Sequence, residues 1–135
     1  MSLDENSFSI FLDTIKKFVD NKLIPREEEV AETNSIPEDI VEEMKNIGLF
    51  GISIPTEYGG SNLSMEQEVK LTFELGRASP AFRSMAGTNI GIGSQTIVMS
   101  GTDEQKQKYL PKFSTGEIIG SFALTEPDSG SDAMS

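Results

Sequence analysis

The chain has no cysteine, no histidine and no tryptophan in its 135 residues. Within this chain that removes thiol nucleophiles, disulfides, imidazole acid–base chemistry and the usual zinc ligand sets. Cationic residues are few as well: 11 Lys and Arg stand against 22 Asp and Glu, a formal net charge of −11. So acidic a surface argues against nucleic acid or an anionic membrane as partner, because both require a cationic face. An anionic small molecule stays admissible, since backbone N–H groups and single cations can hold phosphate. No apolar run approaches the ~18 residues of a membrane span. The opening Met1-Ser2-Leu3-Asp4 lacks the basic-then-apolar pattern of a secretory leader, so a cytoplasmic location is expected.

What is present reads as helix over most of the length, which is ample for one domain with its own core. Phe8, Phe11, Leu12, Ile15, Phe18 and Val19 recur at three- and four-residue spacing, the stripe of an amphipathic helix that ends near Pro25. Residues 26–31 continue as a short second helix, with Glu27, Glu28 and Glu29 suiting its N-terminus. Ser35 with Glu38 reads as a capping box, followed by the stripe Ile40, Val41, Met44 and Ile47 and a stop at Gly48. Leu49 to Gly60 is aperiodic and ends in a turn-rich loop. Ser64 with Gln67 opens a helix carrying Met65, Val69, Thr72 and Phe73, and Ser79-Pro80 opens the next. Gly87, Gly91 and Gly93 make the second half of that helix approachable by another helix or a ligand. Thr102 with Gln105 caps a further helix through Tyr109, Pro111 to Gly116 reads as a turn, and an apolar strand is expected from Ile118 to Leu124. Such a strand has no partner in the chain, so its backbone groups call for further strands.

The run after that strand is the most specific wording in the sequence: Ala123-Leu124-Thr125-Glu126-Pro127-Asp128-Ser129-Gly130-Ser131-Asp132. Ser-Gly-Ser-Asp by itself fills ordinary turns. The longer run does not stand alone. Gly101-Thr102-Asp103-Glu104-Gln105-Lys106, Tyr109-Leu110-Pro111 and Gly116-Glu117 precede it. Upstream come Ile54-Pro55-Thr56-Glu57-Tyr58-Gly59-Gly60, the Gly48-Leu49 helix ending and Glu74-Leu75-Gly76-Arg77. Together, and in this order, these segments resemble the acyl-CoA dehydrogenase family over nearly the whole chain. Gly91-Ile92-Gly93 is not a dinucleotide fingerprint, because it lacks the third glycine and follows no strand.

The resemblance implies a mainly α fold: a multi-helix N-terminal domain over residues 1–116, then residues 117–135 as the truncated start of a β-barrel-like middle domain. It implies FAD as cofactor and an acyl-CoA thioester as substrate, with α,β-dehydrogenation as the reaction. Phe122, Leu124, Thr125, Gly130 and Ser131 correspond to flavin-contacting positions. Ser131 also falls where the CoA arm passes, and Met85, Thr88 and Ile92 fall where the acyl chain is lined. Glu126, Pro127 and Asp132 are expected to hold the loop's shape. No catalytic residue is assigned, because the family's base is a glutamate of the C-terminal bundle, beyond Ser135. The fragment is therefore expected to lack turnover. Relatives pass electrons to an electron-transfer flavoprotein and form homotetramers or homodimers. Two other readings stay open at this stage: an acyl-CoA oxidase or flavin monooxygenase of the same superfamily, and a stand-alone helical binding or assembly module.

Overall fold

The computed structural model describes residues 3–133. Helix α1 runs Glu5–Phe18 and starts where the Asp4 carboxylate accepts the Ser7 N–H at 3.0 Å and the Ser7 hydroxyl at 2.7 Å. Those bonds hold the Asp4 carboxyl below its ordinary value. The helix then widens into a π turn, Val19–Leu23, and tightens into a 3₁₀ turn, Ile24–Arg26. The irregularity falls where Pro25 has no N–H to return to the preceding turn. Helix α2, Glu27–Thr33, follows, and α3 covers Glu38–Asn46. The expected capping box of Ser35 and Glu38 does not form. Helix α3 begins at Glu38 with Pro37 as its cap residue and no side-chain cap.

Two 3₁₀ turns, Leu49–Gly51 and Thr56–Tyr58, occupy the aperiodic stretch. The Pro-Thr-Glu-Tyr-Gly-Gly loop closes on itself through its two glycines, each for a different reason. Gly59 has φ of 85°, in the left-handed region, while a Cβ on Gly60 would run into the Ile54 carbonyl. With both in place, the Ser61, Asn62 and Leu63 amides reach the carbonyls of Gly51, Ile54 and Ile52 at 2.7–3.0 Å. Helix α4, Met65–Leu75, and helix α7, Asp103–Thr115, each begin with a complete capping box, Ser64 with Gln67 and Thr102 with Gln105. Between them lie α5, Pro80–Thr88, a π turn, Asn89–Gly93, and α6, Gln95–Ser100.

Helix α7 corrects the expected turn at Pro111–Gly116, because it runs through Pro111 to Thr115. Burial explains the continuation. Leu110, Phe113 and Ser114 all face inward, and the Ser114 hydroxyl donates to the Pro111 carbonyl at 2.9 Å. The expected strand over residues 118–124 is corrected too: it enters no ladder, and the described residues contain one isolated antiparallel bridge, Glu126 with Ser129. A strand is defined by its neighbour, and none is present among these residues. The chain is thus mainly α-helical, as the N-terminal domain reading requires.

The larger core gathers Phe8, Ile15, Phe18 and Leu23 of the first helical stretch with Ile40, Met44, Phe50, Leu71, Leu75, Phe82 and Ala86. At ~25 cal/mol per Å² this apolar burial is the main force holding α1, α3, α4 and α5 together. A smaller core joins Ile54 and Tyr58 of the loop to Leu110 and Phe113 of α7, with Ile97, Val98 and Ile118 packed on it. The second core is what seats the C-terminal segment on the helices. Arg77, from the Glu74-Leu75-Gly76-Arg77 motif, pairs with Glu74 and with Asp20, tying the end of α4 to the first π turn.

Candidate functional site

The candidate residues sit on two segments, the α5–π-turn stretch and residues 118–133, and a buried polar seam brings those segments together. At its centre is Asn89, fully buried at the first position of the second π turn. Its Nδ2 donates to the Phe113 carbonyl at 3.1 Å, and its Oδ1 accepts the Gly120 N–H at 2.8 Å. One side chain therefore joins α5, the end of α7 and the start of the C-terminal segment. Such a bond pair is worth most where water is excluded, since an unpaired amide there would carry its full desolvation penalty.

The π turn itself is held by hydroxyls. Widening the helix frees the Ile90 carbonyl, and it accepts from Ser53 Oγ at 2.8 Å and Ser94 Oγ at 3.2 Å. Gln95 returns to the Ser53 carbonyl at 3.2 Å. Ser114 Oγ extends the seam: it lies 3.0 Å from the Tyr58 carbonyl, which shares the hydroxyl's single proton with the Pro111 carbonyl. No buried side-chain nitrogen or oxygen among the described residues lacks a partner. The expected close approach at the small-residue stretch occurs at Gly93, where Gly120 and the Phe113 ring pack against it. Gly91 faces open space, and Gly87 has the Arg83 side chain beside it.

From Gly120 the chain runs outward. Phe122 and Leu124 are half-exposed, and Thr125, Gly130 and Ser131 are exposed. Across residues 121–125 the backbone N–H groups donate to no protein acceptor among the described residues. The segment then folds back in a tight turn: Glu126 and Ser129 exchange N–H···O bonds of 2.8 and 3.2 Å, with Pro127 and Asp128 at the tip. Ser129 Oγ donates to the Asp132 carbonyl at 2.6 Å. The turn is thus closed through the backbone of Glu126 and Ser129 and the Asp132 carbonyl. A Cβ on Gly130 would meet nothing within 4 Å. Met134 and Ser135, which end the run, lie outside the described residues.

The three acyl-side candidates separate. Met85 is half-buried against the larger core and lines a cavity of about 600 Å³ with Val30, Ala31, Asn34, Ile36 and Ala81. Thr88 and Ile92 are not among its walls, and Ile92 is half-exposed beyond the π turn. Met85 thereby faces the α2–α3 corner, whereas Ile92 is on the stretch approached by the C-terminal segment.

Sequence reasoning missed Asn89 altogether. A signal was available: Asn89, Gly91 and Gly93 are three poor helix formers within five residues, which marks a helix irregularity. Its second partner, Gly120, carries no signal, because a backbone N–H is not written in side-chain chemistry.

No described helix is long and apolar enough to cross a membrane. Residues 7–117 match the family described as acyl-CoA dehydrogenase, N-terminal domain. Among curated relatives, the mitochondrial isovaleryl-CoA dehydrogenase of Pongo abelii is 36% identical over 90% of this chain, and an acyl-CoA dehydrogenase of Bacillus subtilis is 34% identical over 90%. The chain spans 29% and 32% of their respective lengths. Among solved structures, the acyl-CoA dehydrogenase of Bacillus anthracis complexed with FAD superposes with a TM-score of 0.81 at 35% identity, covering 96% of this chain and 22% of that one. Motif order, helical architecture and these likenesses converge: the chain belongs to the acyl-CoA dehydrogenase family, in the part that forms its N-terminal domain.

Proposed function

We propose that this chain is the N-terminal portion of a flavin-dependent acyl-CoA dehydrogenase acting on an acyl-CoA thioester, with residues 117–135 opening the middle β domain. The observation that carries the reading is the outward run from Gly120 to Ser131. Among the described residues it presents five N–H groups without a protein acceptor, two large exposed apolar side chains, Phe122 and Leu124, and three exposed hydroxyls, Ser121, Thr125 and Ser131, on one short stretch. That donor-and-apolar mixture fits one side of a planar heterocycle rich in acceptors. FAD, when bound, would supply the hydride acceptor for the β-carbon.

The chain's own residues would position and hold. The amides of residues 121–125 and the Thr125 hydroxyl would donate to ring acceptors, with Phe122 and Leu124 covering apolar surface and excluding water. Gly130, which lets backbone come close, and Ser131 would approach the phosphate region, and Ser131 would also touch the CoA arm. From Phe113 to Ser135 there is no Lys or Arg, while Glu117, Glu126, Asp128 and Asp132 are acidic. Phosphate on this side would therefore be held by N–H and hydroxyl donors, with any cation supplied from elsewhere. The resemblance assigns Met85, Thr88 and Ile92 to the acyl side, although Met85 faces the α2–α3 corner, apart from Ile92. The base that removes the α-proton is assigned to a carboxylate outside this chain, so the 135 residues alone would not turn over substrate. An electron-transfer flavoprotein as acceptor and a dimeric or tetrameric assembly complete the proposal.

The test uses the full-length protein. Thr125→Ala and Ser131→Ala are each compared with wild type for flavin retained on purification and for bleaching of the flavin absorbance by acyl-CoA. Loss of flavin in either variant supports the assignment. Wild-type behaviour of both removes it.

A further inference from the structure

We infer that Asn89 is a positioning residue for the flavin-facing segment: it fixes the point at which that segment leaves the helices, and so aims the amides of residues 121–125. The inference rests on the flavin reading above and adds a residue that neither the motif nor the family likeness marks.

Its grounds are geometric. Asn89 is fully buried, yet its amide makes no bond to its own helix. Instead it spends donor and acceptor on two other parts of the chain, the Phe113 carbonyl at 3.1 Å and the Gly120 N–H at 2.8 Å. The second bond matters most, because Gly120 is the last amide before five that have no protein acceptor among the described residues. Beyond it no polar contact to the described residues holds the segment until the Glu126–Ser129 turn. Sterics reinforce the same point. A Cβ at Gly120 would come within 2.8 Å of the Phe113 ring and 3.1 Å of Gly93 Cα, so this crossing admits little sliding.

Asn89 can reach both partners because it starts the π turn Asn89–Gly93. Side chains on a π turn are offset from the regular 100° step, which re-aims them relative to the α-helix before and after. The hydroxyls of Ser53 and Ser94, both on the Ile90 carbonyl, hold that turn open. The seam thus converts a local helix irregularity into a fixed exit for the segment that carries Phe122, Leu124 and Thr125. Local order of this kind is what a site built on a loop lacks unless neighbouring groups supply it.

Two measurements test this. In the 135-residue chain, residue-resolved amide hydrogen exchange reads the Gly120 N–H directly. Protection at Gly120 with rapid exchange at residues 121–125 is expected; exchange at Gly120 as fast as theirs would overturn the inference without any variant being made. In the full-length flavoprotein, Asn89→Ala is compared with Ile15→Ala, a core change in α1 remote from the seam, and with Thr125→Ala. The expected result is a flavin affinity lowered about tenfold by Asn89→Ala, the order of one lost buried hydrogen bond, and unchanged by Ile15→Ala. If Thr125→Ala weakens flavin binding and Asn89→Ala does so no more than Ile15→Ala, the positioning role fails while the flavin reading stands. If neither Thr125→Ala nor Asn89→Ala affects flavin, the flavin reading fails and takes the positioning role with it.

Discussion

Gly120 and Gly93 pack backbone against backbone: a Cβ on Gly120 would lie 3.1 Å from Gly93 Cα, and one on Gly93 would lie 3.5 Å from Gly120 Cα. The Phe113 ring closes the same crossing from the side. This contact is where the helical part of the chain meets the segment that carries the motif.

Gly120→Ala should therefore be destabilising. The new methyl would meet the Phe113 ring edge at 2.8 Å, and that ring is buried in the smaller core, so it has little room to yield. Overpacking of this kind costs about 1–3 kcal/mol. Denaturant unfolding of wild type and variant checks the figure. A change within about 0.5 kcal/mol, the scatter of ordinary surface substitutions, would mean that the crossing is looser than described.

Gly130→Ala makes the opposite case. Nothing lies within 4 Å of a Cβ there, so stability of the 135-residue chain should stay within about 0.5 kcal/mol of wild type. On the proposed function, the same methyl in a full-length flavoprotein would stand between the backbone and a closely approaching phosphate, and flavin affinity should fall. Tm of the 135-residue chain and flavin titration of the apoprotein, made on one substitution, separate folding from binding. Equal flavin affinity in variant and wild type would remove Gly130 from the site.

The three capping boxes legible in the sequence divide in the same testable way. Ser64→Ala and Thr102→Ala should each cost about 1 kcal/mol, because each hydroxyl accepts the N–H of the glutamine three residues on, at 3.3 and 3.2 Å. The caps are on separate helices, so their effects should add within about 0.5 kcal/mol in the double variant. Ser35→Ala should do nothing measurable, since α3 starts at Glu38 without a side-chain cap. Thermal unfolding of wild type and the four variants reads all of this. A loss at Ser35 as large as at Ser64 would contradict the observed start of α3.

That contrast shows what could be read before the structure. Helix periodicity and glutamine capping are local, so α1, α4, α5 and α7 were legible from spacing alone, as was the break after α3. Where Pro lay close to a signal, local reading failed. Pro37 displaced Ser35 from the cap position of α3, and Pro111 looked like a terminus although Leu110, Phe113 and Ser114 hold α7 together across it. The first outcome is local to Pro37, whereas the second depends on what packs behind α7. The apolar run at 118–124 was recognised as strand-like, but among the described residues no strand lies beside it to pair with. The motif residues were legible as a group because their order is distinctive. The seam that seats them was not, because Asn89, Phe113 and Gly120 meet across 31 residues of sequence.

A last prediction concerns the outer face of α4, where Met65, Val69 and Phe73 are exposed and Glu68 is half-buried among them. Partial burial raises the Glu68 carboxyl above its ordinary value of 4.5. A group whose folded pKa is raised binds its proton more readily folded than unfolded, so its charge opposes folding. The opposition is absent below about pH 4.5, where both states are protonated, appears as the pH climbs through the folded value, and is complete above it. Glu68→Gln should accordingly stabilise the chain at pH 7, by about 0.5 kcal/mol or less given solvent screening of a side chain still largely in water. The gain should vanish toward pH 4. Asp39 and Glu66 behave with the opposite sign. Hydrogen bonds from Arg26 and Lys70 hold their carboxyls below the ordinary range, so their stabilisation is present above about pH 4 and is lost as the pH falls through the folded values. Urea midpoints of wild type and Glu68→Gln across pH 4–8 distinguish the two contributions, because only the first is removed by the substitution. A Glu68→Gln gain that grew on acidification would show that the carboxylate is stabilised in the folded chain, against the burial seen on α4.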